Sequence, residues 1–160
     1  MVGEKCAFIY ITFCQFIMLP AENIRHDLLK MSTPARAKSN ARFFKTGKGE
    51  YGEGDMFIGV TVPQVRKVVK KYLALPLTDI EYLLCSKEHE FRLAALLLLV
   101  ALFSKATPQE RAQIHALYLK RIAWVNNWDL VDSSAEYVVG AYMEGRSNQL
   151  LTTLARQNNF

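Results

Sequence analysis

The sequence predicts an all-α protein, arranged as an α-solenoid of helical repeats, on three observations. Leu and Ala together supply 36 of the 160 residues, whereas Gly and Pro supply 13, a balance that favours helix over sheet. Helix-start signals recur, with T-x-x-Q/E capping boxes at Thr61–Gln64, Thr78–Glu81 and Thr107–Glu110. The starts are also periodic: Thr107 and Ser147 are 40 residues apart, as are Glu88 and Trp128, and about 40 is the period of HEAT-like helical hairpins. Such arrays bind on a concave face. Half the residues are apolar and 22% are charged, a globular composition long enough for one domain with its own core.

The elements follow in order. Residues 6–19 (CAFIYITFCQFIML) form an apolar run of 14, short of the ~18–20 needed to span a bilayer. The preceding MVGEK carries little positive charge and no clean cleavage site follows, which argues against a secretory leader. Residues 1–20 read as a buried first helix or as an extension outside a domain covering 21–160. Helices are expected over 21–31 and 35–45, separated by Ser32-Thr33-Pro34. Met56 to Val62 (MFIGVTV) is β-like, but a run of that length bounded by glycine and proline also fits a loop. Thr61 opens a helix to about Leu75 with Pro63 in its first turn, and Thr78 opens a short one to about Cys85. The next runs from Glu88 to Lys105. Its apolar centre, Ala94 to Phe103, is too short for a membrane span and reads as the central helix of the core. Thr107, with Pro108 at the first helical position, leads to about Trp124. Asn127 caps a helix to about Glu144, and a last helix starts near Ser147.

The net charge of +5 is unevenly spread. Residues 25–71 hold eleven Lys and Arg against four Asp and Glu, a net of +7, while residues 72–160 hold eight against nine. A local patch of this kind suits a polyanion, nucleic acid first and an anionic membrane surface second; a solvated face is the alternative. On the helix after Thr61, Val65, Val68, Val69 and Tyr72 make an apolar stripe. Arg66, Lys67, Lys70 and Lys71 make a basic one without acidic partners at i±4.

Asn127-Trp128-Asp129-Leu130-Val131-Asp132 holds the chemistry. On one continuous helix Val131, Ala135, Val138, Val139 and Tyr142 form the apolar stripe, and Asp129, Ser133 and Glu136 the solvated face. Asp129 suits the first turn through the helix dipole. Asp132 lies one turn after Trp128, at the edge of the apolar stripe, where a carboxylate is partly desolvated. Two readings stand. The indole face and the carboxylate together cradle a cation or a developing positive charge; or Trp128 is a core anchor and Asp132 pairs with an Arg from a neighbouring helix.

Other chemistries find no support. Cys6, Cys14 and Cys85 have no CxxC spacing, so reduced thiols and a cytoplasmic location are the expectation. His26, His89 and His115 are scattered without metal-ligand spacing, so no metal is expected. Ser133 and Ser134 lack a G-x-S-x-G context. Gly47, Gly49, Gly52 and Gly54, with Lys45 and Lys48, do not follow phosphate-loop order and read as a flexible basic linker near DNA, with a purely structural loop as the alternative; Glu50, Glu53 and Asp55 temper the basic reading.

The block Ala41-Arg-Phe-Phe-Lys-Thr-Gly-Lys-Gly-Glu-Tyr-Gly-Glu-Gly-Asp-Met-Phe-Ile-Gly-Val60, then Val62-Pro-Gln-Val-Arg66, then Asn127-Trp-Asp-Leu-Val-Asp132, resembles the AlkD-type DNA alkylation repair proteins over about residues 21–160. The resemblance implies a HEAT-like array whose concave basic face holds duplex DNA. It implies a monofunctional glycosylase that removes cationic N3- and N7-alkylated purines without base flipping, with no metal and no cofactor. Trp128 matches the tryptophan packed against the lesion deoxyribose. Asp132 matches the carboxylate that stabilises the oxocarbenium-like sugar and positions water. Phe43 falls where the family carries an aromatic residue, often Tyr. Arg42, Lys45, Lys48, Arg66, Lys67, Lys70 and Lys71 are the expected DNA contacts. The family normally continues beyond Phe160, with an Arg that grips phosphate and a further aromatic wall. The chain is therefore expected to be an N-terminal part or a truncated product, its own activity left open, of a protein monomeric at full length. A non-catalytic HEAT-repeat protein for damaged or branched DNA is the alternative, and a protein-interaction solenoid a third.

Overall fold

The computed structural model describes residues 20–147 and 149–156; the apolar run 6–19 lies outside the described residues. The helices are α1 (Pro20–Leu29), α2 (Pro34–Phe43), α3 (Val62–Val69), α4 (Leu77–Leu84), α5 (His89–Lys105), α6 (Pro108–Lys120), α7 (Trp128–Asp132), α8 (Ala141–Met143) and α9 (Gln149–Arg156). A 3-10 turn, Ile122–Trp124, precedes α7, and a π-turn, Glu136–Gly140, separates it from α8. The protein is all-α, with no strand among the described residues. The β-like run at Met56 is a loop holding one isolated parallel bridge to Glu88.

The core is built around α5, which packs against α3, α4, α6, α7 and the π-turn. Its centre is apolar on every side because most of it is covered: Phe91, Leu93, Leu96, Leu98 and Leu99 are buried, and Leu97, Val100 and Leu102 are half-buried against the core. Each buried Leu contributes about 2 kcal/mol of transfer free energy. No described helix is long and apolar enough to cross a membrane.

Its first turn also organises the loop between α2 and α3. The buried Glu90 carboxylate accepts hydrogen bonds from Ile58 N (3.0 Å), Gly59 N (2.9 Å) and Val60 N (3.2 Å). Gly59 has φ +81°, and a Cβ there would stand 2.2 Å from the Thr33 carbonyl oxygen. Only glycine lets this loop lie against the start of α2.

Thr61–Gln64 and Thr107–Glu110 form the expected reciprocal capping boxes. Thr78 does not cap α4, which starts after Pro76. The Glu81 carboxylate needed for that box is taken by Lys120 (2.9 Å) and Arg121 (2.7 Å) from α6 and its end. α3 stops at Val69 rather than near Leu75. The Tyr72 hydroxyl reaches back to Asp27 (3.1 Å), Leu75 turns into the core, and Pro76 disfavours a helical residue before it. The helix expected from Asn127 to Glu144 is three pieces. Ser134 is buried where its hydroxyl meets both the Leu130 carbonyl (2.6 Å) and the Tyr118 hydroxyl (2.9 Å). Back-bonding of this kind bends a helix.

Candidate functional site

α7 begins with Trp128 and ends with Asp132, so the two side chains stand one turn apart on a helix of five residues. They line a cleft of about 570 Å³ with Tyr51, Val125, Asn126, Asn127 and Val131. Trp128 is 49% exposed and so is not a core anchor. Asp132 is exposed and has no hydrogen-bond or ion-pair partner among the described residues, so it is neither desolvated at an apolar edge nor paired with an Arg. The stripe of Val131, Ala135, Val138 and Val139 packs on the core while Asp132 falls outside it, leaving an open carboxylate in the same cleft as the indole.

Aromatic rings back the indole. Phe43, 66% exposed at the end of α2, meets Trp128 edge-on at 6.3 Å between centroids. Phe44 lies 5.5 Å from Trp128 and stacks on Phe57 (5.0 Å), which stacks on His89 (4.6 Å). The Trp128 indole N–H donates to the Tyr51 hydroxyl at 3.3 Å. Tyr51 comes from the glycine-rich loop, so that segment is a wall of the cleft and not a free linker. Glu50 and Glu53, though exposed, are turned onto the loop's own backbone, accepting from Gly47 N and Gly49 N at 2.7 Å each.

Beneath the cleft lies a buried polar network. The Asp55 side chain, 4% exposed, accepts from Arg92 (2.8 Å), Asn126 (2.8 Å) and Asn127 (3.4 Å). Its second oxygen faces His89 Nδ1 at 3.5 Å, an ion-pair distance without hydrogen-bond geometry. His89 Nε2 meets Asp129 at 2.9 Å. Asp129 is therefore a partner of His89 and not part of a solvated face; the α5 N-terminus, closing under α7, takes that carboxylate out of solvent. Burial opposes ionisation of Asp55, but His89, the two asparagines and Arg92 outweigh it and hold the carboxyl well below the ordinary carboxylate range. Burial likewise opposes charge on His89, and the carboxylates of Asp129 and Asp55 on either side reverse it, raising its pKa above the usual 6.5. Asn127 precedes α7 as its cap residue, yet its amide goes to Asp55 and not to the helix N-terminus. Among the described residues no group of three or more His, Cys, Asp or Glu is arranged to hold a metal ion.

Arg42, Lys45 and Lys48 are exposed at the end of α2 and in the loop that carries Tyr51. Arg66, Lys67, Lys70 and Lys71 are exposed on α3 and the turn after it, and none of them lines the cleft. Lys71 is held by Asp27 at 3.0 Å, a partner on α1 that spacing along one helix cannot reveal. The fold thus brings Trp128, Asp132 and Phe43 together and leaves the α3 cations as a separate group. Tyr51, Asp55, His89 and Arg92 were not singled out as site residues in the sequence. The one available signal was E-H-E-F-R at the start of an apolar helix, a density of charge that a buried helix start tolerates only when paired.

Fold and site define an all-helical protein that exposes an aromatic–carboxylate pair on a clamped short helix, with cations on neighbouring elements. The chain belongs to a family: the model of the DNA alkylation repair enzymes matches residues 24–160. No curated protein and no solved structure matches the chain.

Proposed function

We propose that the chain is a DNA glycosylase acting on duplex DNA, hydrolysing the N-glycosidic bond of cationic N3- and N7-alkylated purines without base flipping, on a HEAT-like repeat scaffold spanning residues 21–160. The observation that carries this is the open Asp132 carboxylate beside the Trp128 indole in one cleft. The starts of α5 and α7, and of α6 and α9, again fall about 40 residues apart, which supports the repeat reading.

The chemistry needs little else. An alkylated purine is already a cation, so it leaves with the bonding electron pair and needs no protonation. As the C1′–N bond breaks, positive charge develops on the sugar, where a fixed carboxylate and π faces stabilise it. Water adds to C1′ and loses a proton, giving the free base and an abasic site. Asp132 accepts a hydrogen bond from that water and orients it; Trp128 and Phe43 pack on the sugar. Arg42, Lys45, Lys48, Arg66, Lys67 and Lys70 hold phosphates, contacts that fix register without reading sequence. No cofactor or metal takes part. The working protein is a cytoplasmic monomer.

Release of 7-methylguanine from methylated duplex DNA tests the proposal, with Asp132→Asn as the control. Release by the parent chain and its loss in the variant, with DNA affinity kept, supports it. Salt-sensitive DNA binding with no release by the parent chain, nor by a chain extended through further repeats, overturns the glycosylase and leaves the non-catalytic DNA-binding protein.

A further inference from the structure

We infer that Tyr51 is a positioning residue of the Trp128/Asp132 cleft, and that the 45–55 loop exists to hold its ring there. The inference rests on the glycosylase reading for its purpose but not for its geometry. Tyr51 is 53% exposed and its ring is no part of the core, so packing does not explain it. Its hydroxyl is the acceptor for the Trp128 indole N–H across 77 residues of sequence.

The loop is built to keep that contact. Both glutamates bind its own backbone N–H groups. Gly52 N donates to the Lys45 carbonyl at 3.1 Å, and a Cβ on Gly52 would stand 2.3 Å from the Phe44 carbonyl oxygen, so the residue after Tyr51 has to be glycine. At the loop's end Asp55 binds Asn126 and Asn127, the two residues that lead into Trp128. Loop and α7 are therefore joined by Asp55 on one side of the Tyr51–Trp128 contact, and on the other side Phe44, just before the loop, lies 5.5 Å from the Trp128 ring. With its N–H satisfied, the indole is held in the cleft that Asp132 also lines. The Tyr51 ring lines the same cleft, so a sugar entering it meets two aromatic rings and one carboxylate. Phe in place of Tyr keeps the wall and frees the indole; Ala removes both.

The test uses the 160-residue chain with Trp124→Phe, so that Trp128 alone emits, comparing Tyr51, Tyr51→Phe and Tyr51→Ala. Expected are a changed Trp128 emission maximum and at least twofold faster acrylamide quenching in both variants, with unfolding midpoints unchanged. Affinity is then measured for duplex DNA carrying a cationic iminosugar, a mimic of the sugar cation. Tyr51→Ala should weaken it about tenfold and Tyr51→Phe about threefold, while affinity for unmodified duplex stays the same. Unchanged emission and quenching in Tyr51→Phe would overturn the positioning role. So would equal loss on both duplexes in Tyr51→Ala, because that marks a general DNA contact. If the parent chain does not prefer the iminosugar duplex, the glycosylase reading fails by itself, and the quenching comparison still decides the Tyr51–Trp128 contact.

Discussion

Asp55→Asn should destabilise the protein by about 3 kcal/mol. The carboxylate is nearly inaccessible and accepts from Arg92, Asn126 and Asn127 while facing His89. Removing one partner of a buried ion pair typically costs ~3–5 kcal/mol, since the remaining charge stays desolvated. Asparagine is the same size and its oxygen keeps one acceptor site, which places the variant at the lower end; its NH2 then points donors at donors. For a domain of this size about 3 kcal/mol corresponds to a Tm drop of roughly 10 °C. Urea unfolding followed by far-ultraviolet circular dichroism at pH 7 measures it, and the pH dependence supplies the sign. The folded carboxyl sits below its unfolded value of ~3.9, so its contribution is present above that pH and lost as pH falls through the folded value. The gap between parent and variant should therefore close below pH 4. Arg92→Met should cost less in the Asp55→Asn background than in the parent, by about 1 kcal/mol or more. A loss under about 1 kcal/mol for Asp55→Asn, with Arg92→Met additive, would refute the view that this network clamps the cleft.

Four further outcomes are expected. Asp132→Asn should lower single-turnover base release about 10²–10³-fold, the usual effect of removing one preorganised electrostatic group, with DNA affinity within about twofold. Lys67→Ala and Lys70→Ala should each reduce the salt slope of duplex binding by about one, whereas Lys71→Ala should reduce it less, its ammonium being already paired with Asp27. His89, whose pKa is raised in the folded state, gives stability that is full below pH ~6.5 and lost as pH rises through the folded value; the stability gap to His89→Gln should therefore shrink on the alkaline side, in urea titrations from pH 6 upward. Gly59→Ala should destabilise by about 2 kcal/mol or more, combining a left-handed penalty of ~1–2 kcal/mol with a Cβ driven into the Thr33 carbonyl, as read from the thermal midpoint.

What could be read in the sequence was what is decided locally. The capping boxes at Thr61 and Thr107 form because both partners lie within one turn. The box at Thr78 fails because Glu81 has better partners near residue 120, which no window around Thr78 contains. The break after α7 was hidden for a similar reason: Val131, Ala135, Val138 and Val139 keep a helical period across it, and the bend comes from Ser134 meeting Tyr118 on another helix. Trp128 and Asp132 could be picked out, since a turn of helix sets them side by side; Phe43 came only from the family resemblance, because its meeting with Trp128 is a contact between distant elements. Tyr51 could not, because its place depends on where Asp55 fastens the loop.

A five-residue helix is far below the length at which a helix holds itself together in water. α7 therefore takes its order from outside, and its anchors can be named. Leu130 is buried, Asp129 is bonded to His89, and Asn127 is tied through Asp55 to Arg92. These anchors hold the inward side of α7 and the residues just before it. The two side chains left without such anchors in the core are Trp128, touched at its edge by Tyr51, and Asp132. The anchoring contacts then keep the carboxylate rigid while it stands in solvent, which is the condition a preorganised electrostatic group must meet before its substrate arrives.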